Sequence, residues 1–172
     1  MGRGGLASRY EIPLTWEDIS GSYDMKRLAT AALIGLCATP IWAEDMIKPS
    51  PLSVAETIDG LEAAVNGAGA TVFARVDHAA GAQSVGKTIP DATLLIFGNP
   101  ALGTLAMQQD LRAGLVLPLR VLAYTDADGT TQLMWSPAED LFAGLDIPAD
   151  AEVIGRINGV LDMLTDKAIG AN

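Results

Sequence analysis

Hydrophobic residues fall along the chain in three rhythms, and each predicts a different kind of element. Val54, Ile58, Leu61 and Val65 recur at helical spacing behind Ser53 and Glu56, which stand at capping-box distance, and Gly67 and Gly69 end the run; a long helix is predicted. Ile154, Ile157, Leu161 and Leu164 repeat that spacing in a second helix over about 150–168. Period-two alternation marks a strand over 71–76, with Val72, Ala74 and Val76 on one face and Thr71, Phe73 and Arg75 on the other. The unbroken apolar run Ala92 to Phe97 lies between Pro90-Asp91 and Gly98-Asn99-Pro100. It predicts a central strand buried on both faces or under helices. Runs over 117–124 and 130–135 flank Asp126-Ala127-Asp128-Gly129 and read as an antiparallel hairpin.

Shorter signals fill the gaps. Met46-Ile47 starts an edge strand that Pro49 and Pro51 are expected to stop. Asp77 is placed to cap a short helix from His78 to about Val85, and another helix is expected from Leu102 to about Asp110. Ser136-Pro137-Ala138-Glu139 has capping-box spacing with proline at the first helical position. Helix, strands, hairpin and helix in this order predict an α+β fold of two layers, a mostly antiparallel sheet covered by helices on one face.

The segment before the first helix has a different character. Lys26 and Arg27 precede the apolar stretch Leu28 to Cys37, followed by Pro40 and a small residue at Ala43, the pattern of a cleaved signal peptide over 25–43. The apolar run is shorter than the roughly 20 residues a membrane span needs, and Pro40 interrupts it. Residues 1–24 carry four acidic side chains against Arg3 and Arg9, which does not suit an exported amino terminus. Met25 is therefore read as the start, residues 1–24 as a start-site artefact and 44–172 as one α+β domain in the periplasm or outside the cell. No stable membrane insertion is expected after cleavage.

Charge narrows the partners. The 172 residues carry 21 acidic and 11 basic side chains, a formal charge of −10, which argues against nucleic acid and anionic surfaces. Cys37 is the only cysteine, so neither an intramolecular disulfide nor a cysteine-built metal centre is available. Residues 81–88, Gly-Ala-Gln-Ser-Val-Gly-Lys-Thr, satisfy the phosphate-loop pattern. That chemistry needs a loop feeding a helix, whereas Thr88 runs through Ile89-Pro90 into the buried strand, so ATP is not expected as a cofactor. Asp126 and Asp128 lack the remaining calcium ligands and are read as a polar turn.

Four residues remain as candidates for chemistry. His78, the only histidine, follows Asp77 at a strand-to-helix junction, where it could act as acid/base or ligate a metal weakly with Asp77 orienting it; the bland alternative is a helix cap and an exposed first turn. Asn99 sits in the turn leaving the apolar strand, where its amide and nearby backbone groups can converge on a ligand; Gln108 joins it only if a cavity lies beside its helix. The leading expectation is a small-ligand binding domain with a cavity near His78 and Asn99. A hydrolase- or lyase-type enzyme using His78 and a protein-interaction module without a ligand site are the alternatives. No catalytic motif stands out.

Val76-Asp77-His78, the run Asp91 to Pro100, Gly103-Thr104, Met107-Gln108 and Leu117 to Leu122 together resemble the domain of unknown function 302 family over roughly 53–142. The resemblance implies a TATA-binding-protein-like two-layer domain with no agreed reaction and no established cofactor. It also raises His78 and Asn99 above the other candidates, because the Asp-His pair and the Gly-Asn-Pro turn recur in the family. DNA binding does not follow from the fold name, since fold is not function and the domain is strongly acidic.

Overall fold

The structure, a computed structural model, describes residues 45–171; the predicted signal segment and everything before it lie outside the described residues. Strand β1 (Met46–Ser50) is followed by helix α1 (Val54–Gly67), strand β2 (Thr71–Asp77), helix α2 (His78–Ser84), strand β3 (Ala92–Gly98) and helix α3 (Pro100–Gln109). A 3-10 turn (Leu111–Leu115), the β4 (Leu119–Thr125) and β5 (Thr131–Trp135) hairpin, the short helix α4 (Ala138–Leu141) and helix α5 (Glu152–Ala168) complete it.

Helix α1 starts on the expected capping box: the Glu56 N–H donates to Ser53 Oγ and the Ser53 N–H to Glu56 Oε2. Strand β1 differs from expectation in running through Pro49. Among the described residues it lies at the sheet edge, paired only with β5, where a missing N–H costs no ladder bond on the outer side. The capping box expected at 136–139 does not form. Ser136 Oγ donates to Asp45 instead, and Asn158 of α5 accepts from the Ala138 N–H at 2.8 Å while its amide donates to Glu139. A residue twenty positions away supplies the cap.

The five strands form one antiparallel sheet in the order β1-β5-β4-β3-β2. Helices α1 and α5 pack against each other over one face, on Thr93, Leu95 and Phe97 of β3, Leu119, Val121 and Ala123 of β4, and Leu133 and Trp135 of β5. At Gly60 of α1, an added Cβ would stand 2.8 Å from the Ala168 carbonyl of α5, so the glycine is what lets the two helices approach. Lys48 of β1 ties the edge strand to α5, its Nζ donating to Asp166 at 2.7 Å while lying 5.3 Å from the Trp135 ring centroid.

The other face carries a row of apolar side chains, one per strand: Ile47, Met134, Leu122, Leu94 and Val76 stand opposite one another in register. Strand β3 is therefore buried under helices on one face only, and Leu94 and Ile96 are half-buried on the other. β4, not β3, occupies the centre. In β2 the strict alternation predicted from sequence breaks at a bulge beside Phe73, which puts Val72 and Arg75 on the helix side. Arg75 there pairs with Asp59 of α1.

Candidate functional site

Strand β3 ends at Gly98, and Asn99 turns the chain into α3. Its Oδ1 accepts from the Ala101 N–H at 2.9 Å, a side-chain cap followed by Pro100 at the first helical position. The Asn99 amide group makes no hydrogen bond among the described residues. Beside this turn lies a cavity of about 310 Å³ whose walls include Phe73, Asn99, Met107, Leu117, Pro118 and Ile157. That volume is at the low end of small-molecule sites, and the walls are almost wholly apolar.

Three glycines border this room. An added Cβ at Gly98 would sit 3.4 Å from the Phe73 ring and from Pro118, at Gly103 3.6 Å from Leu117 Cδ1, and at Gly114 3.4 Å from Met107 Sδ. A second cavity of about 200 Å³ adjoins the first, sharing Gly98, Asn99, Leu102 and Leu119 with it, and Arg156 of α5 lines it.

His78 is elsewhere. β2 runs antiparallel to β3 with Thr71 opposite Gly98 and Asp77 opposite Thr93. His78 thus follows the end of β2 that lies beside the start of β3, while Asn99 follows the end of β3, about 20 Å away at roughly 3.3 Å per residue. The expected convergence of the two is not found. Asp77 Oδ1 accepts from the Ala80 N–H at 2.8 Å as a helix cap, and His78 is exposed with no hydrogen bond or ion pair among the described residues. Gln108 is exposed on α3 and outside the cavity walls; Thr104 and Met107 line it instead.

The remaining motifs resolve as local structure. Residues 81–84 of the phosphate-loop pattern end α2, and 85–91 lead into β3, so no helix begins after Lys87. Asp126 closes the hairpin, accepting from the N–H groups of Asp128 and Thr130 and from the Gln132 side chain, which hold its carboxyl below the usual range, Gln132 contributing most. Among the described residues, no three His, Cys, Asp or Glu side chains gather to hold a metal.

Sequence reasoning missed Asp110. This buried carboxylate accepts from Arg112 Nε and Nη2, from the Arg112 N–H and from the Asp146 N–H, and the Arg112 side chain is the main reason its carboxyl stays far below the ordinary range. It locks the junction between α3 and the 3-10 turn, and so the cavity's far wall. An aspartate directly after a helix and two positions before an arginine was the available signal.

A two-layer α+β domain with an apolar cavity at one end of its sheet is the class this geometry defines. The family model described as domain of unknown function DUF302 matches residues 46–164, and the chain belongs to that family. The match runs from β1 into α5, and so beyond residues 53–142, where the motif resemblance lies. A crystal structure of the uncharacterized conserved protein DUF302 from Bacillus stearothermophilus shares the fold, with a TM-score of 0.66 and 22% identity over 72% of this chain and 97% of that one. Over 81 residues the chain is also 48% identical to the fluoride-specific ion channel FluC 1 of Brucella suis biovar 1 (strain 1330) and to FluC 2 of Brucella melitensis biotype 1 (strain ATCC 23456 / CCUG 17765 / NCTC 10094 / 16M). These matches cover 47% of this chain and 32% and 30% of those proteins, so the chain spans about a third of their length. Among the described residues no helix is long and apolar enough to cross a membrane.

Proposed function

We propose that this is an exported binding domain that takes a small, largely apolar molecule in the cavity beside Asn99. The observation carrying the reading is a 310 Å³ space with apolar walls, bordered by three glycines at each of which an added Cβ would just touch the lining. Apolar surface released from water on binding supplies the driving force, and Asn99 with Thr104 offers the few polar contacts that fix orientation. Export rests on the basic-then-apolar segment 25–43 and on the acidic domain that follows it. His78, exposed and alone, does not support the acid/base alternative. The test is titration with the neutral fluorescent probe N-phenyl-1-naphthylamine. Wild type should enhance its emission, and Gly103→Leu, which fills the cavity against Leu117, should abolish the response. An equal response from both proteins would remove the cavity from consideration.

The fluoride-channel relatives favour one second reading, a module that works beside a membrane channel. Fluorine-19 line broadening on fluoride titration, or recovery of the cell's own fluoride channel on the immobilised domain, would support it; neither occurring would end it.

A further inference from the structure

We propose that the two adjoining cavities are lobes of one site for an anionic amphiphile, with the apolar body in the larger lobe and the anionic head held in the smaller by Arg156 and the Asn99 amide. This rests on the cavity reading above and assigns its ligand class. The residues at 44–172 comprise seventeen acidic and seven basic side chains, yet among the described residues neither lobe is lined by a carboxylate, and the only charged group in either is the Arg156 guanidinium. A cavity in so acidic a domain whose lining holds no carboxylate and one cation is suited to an anion.

The two lobes share a wall. Arg156 and Ile157 are consecutive on α5; the first lines the smaller lobe and the second the larger. Asn99 and Leu102 line both, so a chain passing Leu102 has its tail against Met107, Leu117 and Ile157 and its head beside Arg156. Arg156 is free to serve. Its one ion pair among the described residues, with Glu152 a turn away on the same helix, is long at 3.7 Å, and both side chains are more than half exposed, so the contact holds the guanidinium only loosely. The planar guanidinium takes a carboxylate through two parallel hydrogen bonds.

Calorimetric titration with decanoate and with decan-1-ol separates head from tail. Wild type should bind decanoate at least tenfold more tightly than the alcohol. Arg156→Gln should bring decanoate down to the level of the alcohol without weakening the alcohol, and Arg156→Lys should restore part of the preference. Arg120→Gln, an exposed arginine on the helix-free face of the sheet, should change neither. If wild type binds both ligands equally, or Arg156→Gln leaves the preference intact, the assignment of the head group is overturned while the cavity reading stands. If neither ligand binds, or Gly103→Leu binds both as wild type does, the cavity reading falls with it.

Discussion

Asp110 carries the sharpest electrostatic consequence at the scale of single residues. Its carboxylate is held below the ordinary range by Arg112 first and then by backbone N–H groups, whereas in the unfolded chain it titrates near 4. Below that value the unfolded chain binds the proton before the folded one does, so the contribution of this group is complete above about pH 5 and drains away as the pH falls further. Glu56, Asp126 and Glu139 are shifted in the same direction by their own hydrogen bonds and add to the acid slope. Urea denaturation from pH 7 to pH 2 should therefore show a falling midpoint below about pH 5. Asp110→Asn should start lower at pH 7 and fall less steeply; a variant with the wild-type slope would show that the carboxylate contributes nothing. The Asp110–Arg112 spacing is legible in the sequence, but the burial of Asp110 is not, because it depends on Asp146 arriving from 36 positions away. Asn99 was legible, since a turn after an apolar run puts an amide at a strand end whatever the topology.

Among the elements, helix–helix contact decides the sign of a glycine substitution. Gly60 and Gly159 are both helical, and alanine in a helix is favoured over glycine by about 1 kcal/mol. At Gly60 the added methyl would stand 2.8 Å from the Ala168 carbonyl, and overpacking of that kind costs about 1–3 kcal/mol, so the thermal midpoint of Gly60→Ala should drop. At Gly159 nothing lies within 4 Å, and Gly159→Ala should raise the midpoint. Thermal denaturation followed by circular dichroism compares them directly, and a rise in both would mean that α1 and α5 do not meet at Gly60. The helices themselves were readable because one apolar stripe and local caps determine them: Ile58, Leu61, Ile157 and Leu164 are all buried where the spacing put them. The bulge in β2 was not readable, for an extra residue is set by the partner strand and leaves no local mark. The same holds for α4, whose cap comes from Asn158 rather than from Ser136.

At the scale of the whole molecule, strand order and direction decide which candidate residues can cooperate, and they are the least local property of the chain. The two-layer plan follows from element order alone. The antiparallel pairing of β2 with β3, which separates His78 from Asn99, is fixed by which edges meet in three dimensions and not by the composition of either strand. The edge strand β1 bears in turn on processing of the chain. It begins at Met46, three residues after the cleavage expected at Ala43, and it is well anchored: Lys48 reaches Asp162 and Asp166, and Ser50 Oγ lies 2.7 Å from Thr57 Oγ1 in a buried pair. Cleavage after Ala43 would leave every one of these contacts in place, whereas loss of a further seven residues would strip β1 from β5 and uncover Trp135. Protein recovered from the periplasm should accordingly begin at Glu44 on amino-terminal sequencing and melt at the same temperature as a chain expressed from Glu44. A chain begun at Pro51 should melt well below both. Recovery of exported protein with residues 1–24 intact would overturn the export reading, and an unchanged melting temperature for the chain begun at Pro51 would remove β1 from the stable core.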